Sequence, residues 1–477
     1  MSVAAPARAR QGSAPAGLVN PFPMRYPDSS SPRVMARRGW WLVVLNFVIP
    51  GSAQAVAGNR RLARFGLAAT LTMWALIVIA VVVTMLWRVV ALTIATNGFF
   101  LLVVQIVLVA YAILWVVLTI DTIRLVRLVK LAPLARIVVA ALAAISLIVA
   151  GGSAAYAAGK VQVVRDGIGA IFGGGAAVPP SDGYYNIMLL GADSGEGRDS
   201  VRFDSISVVS INADSGAVTI WGLPRDLGGF PFVDGPMKDL YPTVHKGHVS
   251  PTCGWGPGLN QLRTEVEVCR KDQNLYADAA SQGSTPGVEA TRDAAQAILG
   301  IQIPYYTFID MNGFASLIDA LGGIDINVTE RLPEGWGPRY EGEPAAKWAV
   351  GWIEPGQQHM DGDTAQWYAR SRYTTSDWDR MARQRQLQEA ILAQFTPVNV
   401  LGRFQDIVNA GTHLVETDIP ESMLGYFVDL GAKAKSQPVT SINLTPDNGV
   451  DQDKPNIDKI HELVQKTLHP PSPSPAG

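Results

Sequence analysis

Apolar residues in the first third of the chain form long, uninterrupted runs. Residues 65–87, 89–120 and 137–159 contain no charged side chain. Each run exceeds the roughly 20 residues that a helix needs to cross a hydrocarbon core. A fourth apolar stretch, 39–59, contains Pro50-Gly51 near its middle, which interrupts a helix. We therefore predict a membrane region over 39–159, with three transmembrane helices and one interfacial or re-entrant segment.

Charge divides the chain at the end of this region. Residues 1–159 hold 14 Lys and Arg against 2 Asp and Glu, whereas residues 160–477 hold 25 against 39. Ten of these 14 basic residues occur in three clusters: Arg33, Arg37 and Arg38; Arg60, Arg61 and Arg64; Arg124, Arg127, Lys130 and Arg136. Such clusters face the cytoplasm. With three crossings, everything after residue 159 is then extracytoplasmic.

Composition also separates the remaining segments. Residues 1–38 are rich in Pro, Ser and Ala before Arg33, without a signal-peptide core, and we predict a disordered cytoplasmic arm. The Gly- and Pro-containing segment 160–182 is predicted to be a flexible stalk. Residues 183–468 are enough for one large domain, and 469–477 read as a disordered tail.

Strand and helix patterns alternate within residues 183–468. Short β-branched or apolar runs predict strands at 185–190, 205–211, 217–221, 305–309 and 324–328. Helical periodicity predicts helices at 288–299 and 313–321. This order favours an α/β or α+β sandwich.

The chain has two cysteines, Cys253 and Cys269, both in the exported part. Oxidation is permitted there, and a disulfide closing this loop stabilises by about 3 kcal/mol. We expect the bond, and two free core thiols are the alternative.

Arginines are concentrated between residues 368 and 385. They are Arg370, Arg372, Arg380, Arg383 and Arg385. Arg370 and Arg372 are two apart, so on a strand they share a face and can hold a phosphate or pyrophosphate. Asp377, Arg380 and Gln384 are spaced by three and four, so on a helix they share a face. We predict a strand followed by a helix; a solvated helix with ordinary ion pairs is the alternative.

Charged residues also follow or precede three successive predicted strands. They are Asp193, Arg202, Asp204, Arg225 and Asp226. Mg²⁺ takes oxygen ligands and commonly only one or two carboxylates. Asp193 and Asp204 are the candidate ligands, and turn capping by either acid is the alternative.

These residues together resemble the LytR-CpsA-Psr (LCP) family. The motifs are Asn186-Ile-Met-Leu-Leu-Gly-Ala-Asp193, Arg202-Phe-Asp-Ser205, Leu223-Pro-Arg-Asp226, Ile318-Asp-Ala-Leu-Gly-Gly323, and Tyr368-Ala-Arg-Ser-Arg372 with Asp377, Arg380 and Gln384. The resemblance covers most of residues 183–468. It implies an α-β-α sandwich with a mixed sheet, and a phosphotransferase that attaches a glycopolymer from a polyprenyl-pyrophosphate carrier to peptidoglycan as a phosphodiester.

The resemblance also implies roles for single residues. Asp193 and Asp204 would bind Mg²⁺ (or Mn²⁺), and Arg202, Arg225, Arg370, Arg372 and Arg380 would bind the pyrophosphate, in a network completed by Asp377 and Gln384. Asp226 or Asp377 would orient the acceptor hydroxyl. A groove between helices and sheet would take the polyprenyl tail. The composition resembles actinobacterial members, so arabinogalactan is a candidate polymer beside teichoic acid and capsular polysaccharide.

Two other functions compete with glycopolymer transfer. A non-catalytic, membrane-tethered scaffold could bind the same lipid-linked glycan, and a pyrophosphatase would use water in place of the sugar hydroxyl. Transport is disfavoured because the apolar helices carry no ionisable residue in their interiors. Nucleic-acid binding is disfavoured by the acidic balance of the exported part.

Overall fold

The structure is a computed structural model that describes residues 24–172, 175–192, 202–335, 337–371, 373–394 and 415–470. The chain forms two compact units. One comprises Met1–Val81 and Val104–Gly159, and the other comprises Val82–Val103 and Lys160–Gly477.

The first 171 residues contribute only helices to the described part of the chain. They are α1 (Pro32–Val48), α2 (Ser52–Ala57), α3 (Arg60–Leu86), α4 (Arg88–Thr96), α5 (Gly98–Val126) and α6 (Pro133–Ile171). Three segments are long and apolar enough to cross a membrane: Arg60–Leu86, Gly98–Lys130 and Pro133–Gly169. Their number agrees with the sequence prediction. The break between α1 and α2 falls at Pro50 and Gly51, where Gly51 has φ of +96°, as the sequence indicated.

Two predicted boundaries are wrong. Residues 32–38, assigned to the disordered arm, begin α1, because Ser31 caps the helix through Val34 N and Pro32 occupies its first turn. Residues 160–171, assigned to the stalk, continue α6. Apolar residues at helical spacing in this segment pack around Ile168 and Leu101, so the chain leaves the helix only at the glycine run. Residues 1–23 and 471–477 lie outside the described ranges.

Ten strands follow. They are β1 (Tyr184–Ala192), β2 (Phe203–Asn212), β3 (Val218–Leu223), β4 (Tyr305–Asp310), β5 (Ile324–Val328), β6 (Leu332–Glu334), β7 (Gly351–Ile353), β8 (Gly356–Met360), β9 (Val415–Thr417) and β10 (Val439–Asn443). Six of them form a mixed sheet in the order β10-β3-β2-β1-β4-β9, and β5–β8 and β6–β7 form two small antiparallel pairs. Within the large sheet, β1–β4 and β3–β10 are parallel and the other pairs are antiparallel.

The α-helices described after β1 pack on both faces of the large sheet or beside it. They are α7 (Pro236–Leu240), α8 (Pro286–Leu299), α9 (Met311–Leu321), α10 (Ala345–Trp348), α11 (Gly362–Arg370), α12 (Asp377–Gln394), α13 (Glu421–Ala434) and α14 (Ile457–Leu468). Met188 and Val208 face a core shared with α8 and α14. On the other face, Ile187 packs with α13, and Ile220 packs near Leu392 of α12. The result is an α/β sandwich with a mixed sheet, the fold class that the sequence and the resemblance indicate.

A satellite core holds the arginine-rich segment in place. Ile318 of α9, Ile326 of β5, Tyr368 of α11 and Leu387 of α12 are buried together in it. This core fixes α11 and α12 relative to each other, and α12 then extends across the large sheet, where Gln388 Nε2 donates to Ser207 Oγ of β2 at 3.1 Å.

Candidate functional site

One edge of the large sheet, formed by the ends of β1, β2 and β3, carries four of the predicted site residues: Arg202, Asp204, Arg225 and Asp226. The carboxyl end of β1 pairs with the amino end of β2, and Ile206 of β2 pairs with Leu223 at the carboxyl end of β3. Antiparallel pairing therefore brings together the positions just outside these strand ends. Arg202 is exposed immediately before β2. Asp193, which follows β1, lies outside the described residues.

Asp204 occupies a β-bulge. Ala192 pairs with Phe203 and Gly191 pairs with Ser205, so Asp204 is an additional residue on β2. A bulge bends the strand and redirects the extra side chain, a feature common next to active sites. Here the Asp204 carboxylate accepts a hydrogen bond from Arg225 Nη1.

Arg225 is the centre of the site. Besides Asp204, its guanidinium contacts Asp226, with Nε 3.3 Å from Oδ2, and Asp377, with Nη2 3.8 Å from Oδ1. The Arg225 side chain is only 18% exposed. Burial lowers the pKa of Arg225, but the carboxylates of Asp204, Asp226 and Asp377 more than offset this and raise it above the ordinary value. Arg225 is therefore a permanent cation shared by three carboxylates.

Asp377 connects this group to helix α12. It is the first residue of the helix, and its Oδ2 accepts from Arg380 Nη2 at 3.0 Å. Asp377 therefore bridges Arg225 and the buried Arg380, which is 5% exposed. Gln384, one turn further, is also buried, and its Nε2 lies 3.4 Å from Ala369 O. The helix predicted from the spacing of these three residues is confirmed.

The strand predicted for Arg370 is wrong. Arg370 is the last residue of α11, and its guanidinium lies 5.4 Å from the centre of the Trp367 ring. Asp361 caps this helix by accepting from Thr364 N at 2.9 Å, and the buried residues of α11 recur at helical spacing, so the segment has the signals of a helix. Arg372 lies outside the described residues, and its face relative to Arg370 stays a prediction.

Two further residues, Arg383 and Asn260, support the site without having been predicted for it. Arg383 is buried and donates to Tyr368 O at 3.2 Å, to Ser371 O and to Thr375 Oγ1 at 3.1 Å, which ties α12 to the segment after α11. Its place in the arginine run was a visible signal. Asn260 gave no signal in the sequence, because it reaches the site from a distant loop.

The loop that carries Asn260 is closed by a disulfide. Cys253 and Cys269 are bonded, with their Cα atoms 5.5 Å apart. Asn260 Nδ2 donates to Asp226 Oδ1 at 3.0 Å, and its backbone N–H donates to Arg225 O at 2.8 Å. The covalently closed loop thus holds the turn that presents Arg225 and Asp226.

The donor chemistry of this edge suits a hard cation. The carboxylates of Asp204, Asp226 and Asp377 supply the oxygen atoms that Mg²⁺ prefers. Within the described ranges, no group of three or more His, Cys, Asp or Glu is arranged to hold a metal ion, and these three carboxylates surround Arg225 instead. A Mg²⁺ site with one or two carboxylates, the kind the sequence predicts, does not require such a group.

This arrangement contains two cationic groups near solvent. Arg225 and Arg380 place two guanidinium groups on either side of Asp377, and Asp226 and Asp377 remain 49% and 33% exposed, so the edge is open to solvent. Guanidinium groups in partly buried positions neutralise phosphate charge and fix its orientation through paired N–H donors.

Comparisons with known proteins find similarity to one family in this region. Residues 262–467, which include α12 with Asp377 and Arg380, match the model of the LytR_cpsA_psr family. A polyisoprenyl-teichoic acid–peptidoglycan teichoic acid transferase TagU of Bacillus mycoides is 24% identical over 50% of this chain and 62% of its own length. The cell wall biosynthesis protein LcpA of Corynebacterium glutamicum is 24% identical over 69% of this chain and 65% of its own. Among solved structures, TagV of Bacillus subtilis is 20% identical over 60% of this chain and 98% of its own, with a TM-score of 0.40.

Proposed function

We propose that this chain, whose residues 262–467 match the LytR_cpsA_psr family model, is a phosphotransferase of cell-wall assembly. It attaches a glycopolymer from a polyprenyl-pyrophosphate carrier to a hydroxyl of peptidoglycan, forming a phosphodiester. The observation that supports this most directly is the contact chain from Arg225 through Asp377 to Arg380, beside the bulged Asp204. The chain spans about three fifths of the length of the TagU relatives it matches, so substrate and acceptor are part of the proposal.

In this proposal the arginines bind the diphosphate of the donor. Arg225 and Arg380, with Arg202, Arg370 and Arg372 from the surrounding segments, neutralise its charge and hold it for in-line attack. Phosphoryl transfer requires little covalent participation by the protein, so positioning is the main contribution of these side chains. The polyprenyl phosphate leaves as the acceptor oxygen bonds to the phosphorus of the glycan phosphate.

Carboxylates have a different role. Asp226, held by Asn260 and half exposed, orients the acceptor hydroxyl in this proposal. Asp193 and Asp204 would hold Mg²⁺ or Mn²⁺, which supplies additional charge neutralisation at the phosphates when bound.

The membrane topology of the proposal has three crossings and an extracytoplasmic catalytic domain. Helix α4 lies between the first two candidate spans, and it packs closely against α13. The Glu421 carboxylate of α13 accepts from Gly98 N, and a Cβ at Gly425 would lie 2.6 Å from Thr93 N. This contact supports the proposed topology, because the two crossings between α4 and the catalytic domain, α5 and α6, return the chain to the same side of the membrane.

A reconstitution experiment tests the function. The full-length protein is incubated with a lipid-linked glycopolymer donor and peptidoglycan, and the products are separated. We expect a phosphodiester to peptidoglycan that is lost in Arg225→Ala. Free phospho-glycan would instead identify a pyrophosphatase, and binding without turnover in the presence of Mg²⁺ would identify a scaffold. Depletion of the protein, followed by analysis of the polymer shed into the medium, identifies the glycopolymer among arabinogalactan, teichoic acid and capsular polysaccharide.

A further inference from the structure

Arg385 is a buried cation whose hydrogen-bonding capacity is largely unused. It lies on α12, eight residues after Asp377 and hence about 12 Å along the helix. It is 3% exposed. Nη2 donates to Ser205 Oγ at 3.3 Å, whereas Nε and Nη1 have no hydrogen-bond partner among the described residues.

Its surroundings do not neutralise the charge. No described carboxylate lies within ion-pair distance of Arg385, although Glu389, one turn on, exerts a weak attraction. Burial lowers the pKa of Arg385 to about 10, so the guanidinium is still charged at neutral pH. A buried cation without a partner destabilises a protein, and buried N–H donors are rarely left unused.

The unused donors are close to the site described above. Ser205 directly follows the bulged Asp204 on β2, and Ser207 on the same strand face accepts from Gln388. Gln388 Oε1 also lacks a partner within the described part of the chain. Arg385, Gln388 and the two serines therefore form a partly buried polar strip between α12 and β2 that begins at the edge where Arg225 and Asp204 lie.

We infer that Arg385 is a further diphosphate-binding residue: its Nε and Nη1 groups donate to an anionic oxygen of the donor when the donor enters beside Arg225. The inference rests on the proposed function and extends it to a residue on the α12 side of the sheet. The ligand chemistry is that of a diphosphate, which a lipid diphosphate and inorganic pyrophosphate share. The binding energy so gained offsets the burial of an unpaired charge in the free protein.

The test compares stability with binding. Full-length protein in detergent micelles is titrated with geranylgeranyl diphosphate and, separately, with inorganic pyrophosphate, and the thermal unfolding temperature is measured without ligand. Arg385→Met removes the charge but keeps an unbranched apolar side chain. We expect an unfolding temperature equal to or above that of the wild type, and binding of geranylgeranyl diphosphate at least about tenfold weaker, because charge-assisted hydrogen bonds are lost.

Matched variants make the result specific. Arg331→Met is the control, since Arg331 is 53% exposed and pairs with Glu354 at 2.9 Å, not with a residue of the site; its binding should equal that of the wild type. Arg385→Lys keeps the charge with fewer fixed donors and should bind between wild type and Arg385→Met. If the methionine variant does not fold, the lysine variant decides the question on its own.

The outcomes separate this inference from the proposed function. Wild-type binding in a well-folded Arg385→Met or Arg385→Lys, together with lost binding in Arg225→Met, overturns the inference and leaves the proposed function standing. Absence of binding in the wild type overturns both. A loss in Arg385→Met for geranylgeranyl diphosphate alone supports a role with the lipid-linked ligand, and an equal loss for pyrophosphate supports recognition of the diphosphate itself.

Discussion

Replacement of Asp377 by asparagine tests the bridge between the two arginines. Asp377 Oδ1 is 3.8 Å from Arg225 Nη2 and Oδ2 is 3.0 Å from Arg380 Nη2. Asparagine keeps the shape of the side chain and one acceptor, but it removes the charge that holds both guanidinium groups. We expect the proposed transferase activity to fall while the fold is kept.

The Asp377→Asn change should cost more in activity than in folding stability. Hydrogen bonds to charged groups contribute about 1.5–3 kcal/mol, which corresponds to a loss of about 10- to 100-fold in kcat/KM if the positions of the arginines depend on Asp377. Asp377 is 33% exposed, so solvent screens the pair, and the cost in folding stability should be only about 1 kcal/mol.

The assay is glycopolymer transfer to peptidoglycan, with thermal unfolding measured in parallel. Asp379→Asn is the matched control, because Asp379 also lies in the first turn of α12 but accepts from Ser376 N at 2.8 Å rather than from an arginine. Asp379→Asn should lower the folding stability and leave the rate of transfer near that of the wild type. Arg380→Met completes a double-mutant cycle with Asp377→Asn, and losses that add within about 0.5 kcal/mol would refute the bridge.

Four further outcomes are expected. Gly425→Leu should force α4 away from α13 at a cost of about 1–3 kcal/mol and increase proteolysis at α4 in membranes. Gly169→Leu is the control, because the space around Gly169 is open, and it should leave proteolysis at α4 unchanged. Equal resistance of α4 to protease in the two variants would contradict the packing of α4 against α13. Burial raises the pKa of Asp293 to about 6, above the unfolded-state value near 3.9, so the stability that the protonated carboxyl provides is fully present below about pH 3.9 and is lost as pH rises through about 6. The free energy of unfolding of Asp293→Asn, measured in urea, should therefore depend less on pH between about pH 4 and 6 than that of the wild type. The same pH dependence in both proteins would contradict this. Cys253→Ser with Cys269→Ser should lower unfolding stability by about 3 kcal/mol in urea titrations, and an unaltered midpoint would count against a structural bond. Chelation with EDTA should abolish transfer, with recovery on adding Mg²⁺ or Mn²⁺, and full activity in EDTA would exclude the proposed metal.

The part of the site that follows from periodicity was predictable. Asp377, Arg380 and Gln384 are near in sequence, so helical spacing alone puts them on one face. The grouping of Asp204 and Arg225 followed from the tendency of successive strands to pair as neighbours. Both inferences used only local geometry.

Other features depend on contacts that a pattern does not contain. Arg370 ends a helix because the Asp361 cap and the apolar residues of α11 outweigh the alternation that suggested a strand. Asn260 reaches Asp226 across 34 residues of chain, and no spacing rule connects them. Burial of Arg385 depends on how α12 crosses β2, which is settled by tertiary packing.

Asp204, the extra residue of the bulge, serves the site and is not needed for the pairing of β2 with β1. A strand lacking that one position could continue its ladder with β1 beyond Gly191 without interruption, and its apolar side chains would stay where they are. The architecture would survive such a deletion while the anchor of Arg225 disappeared. Secondary-structure content would therefore not report the loss of this carboxylate, whereas a measurement of the proposed transfer reaction would.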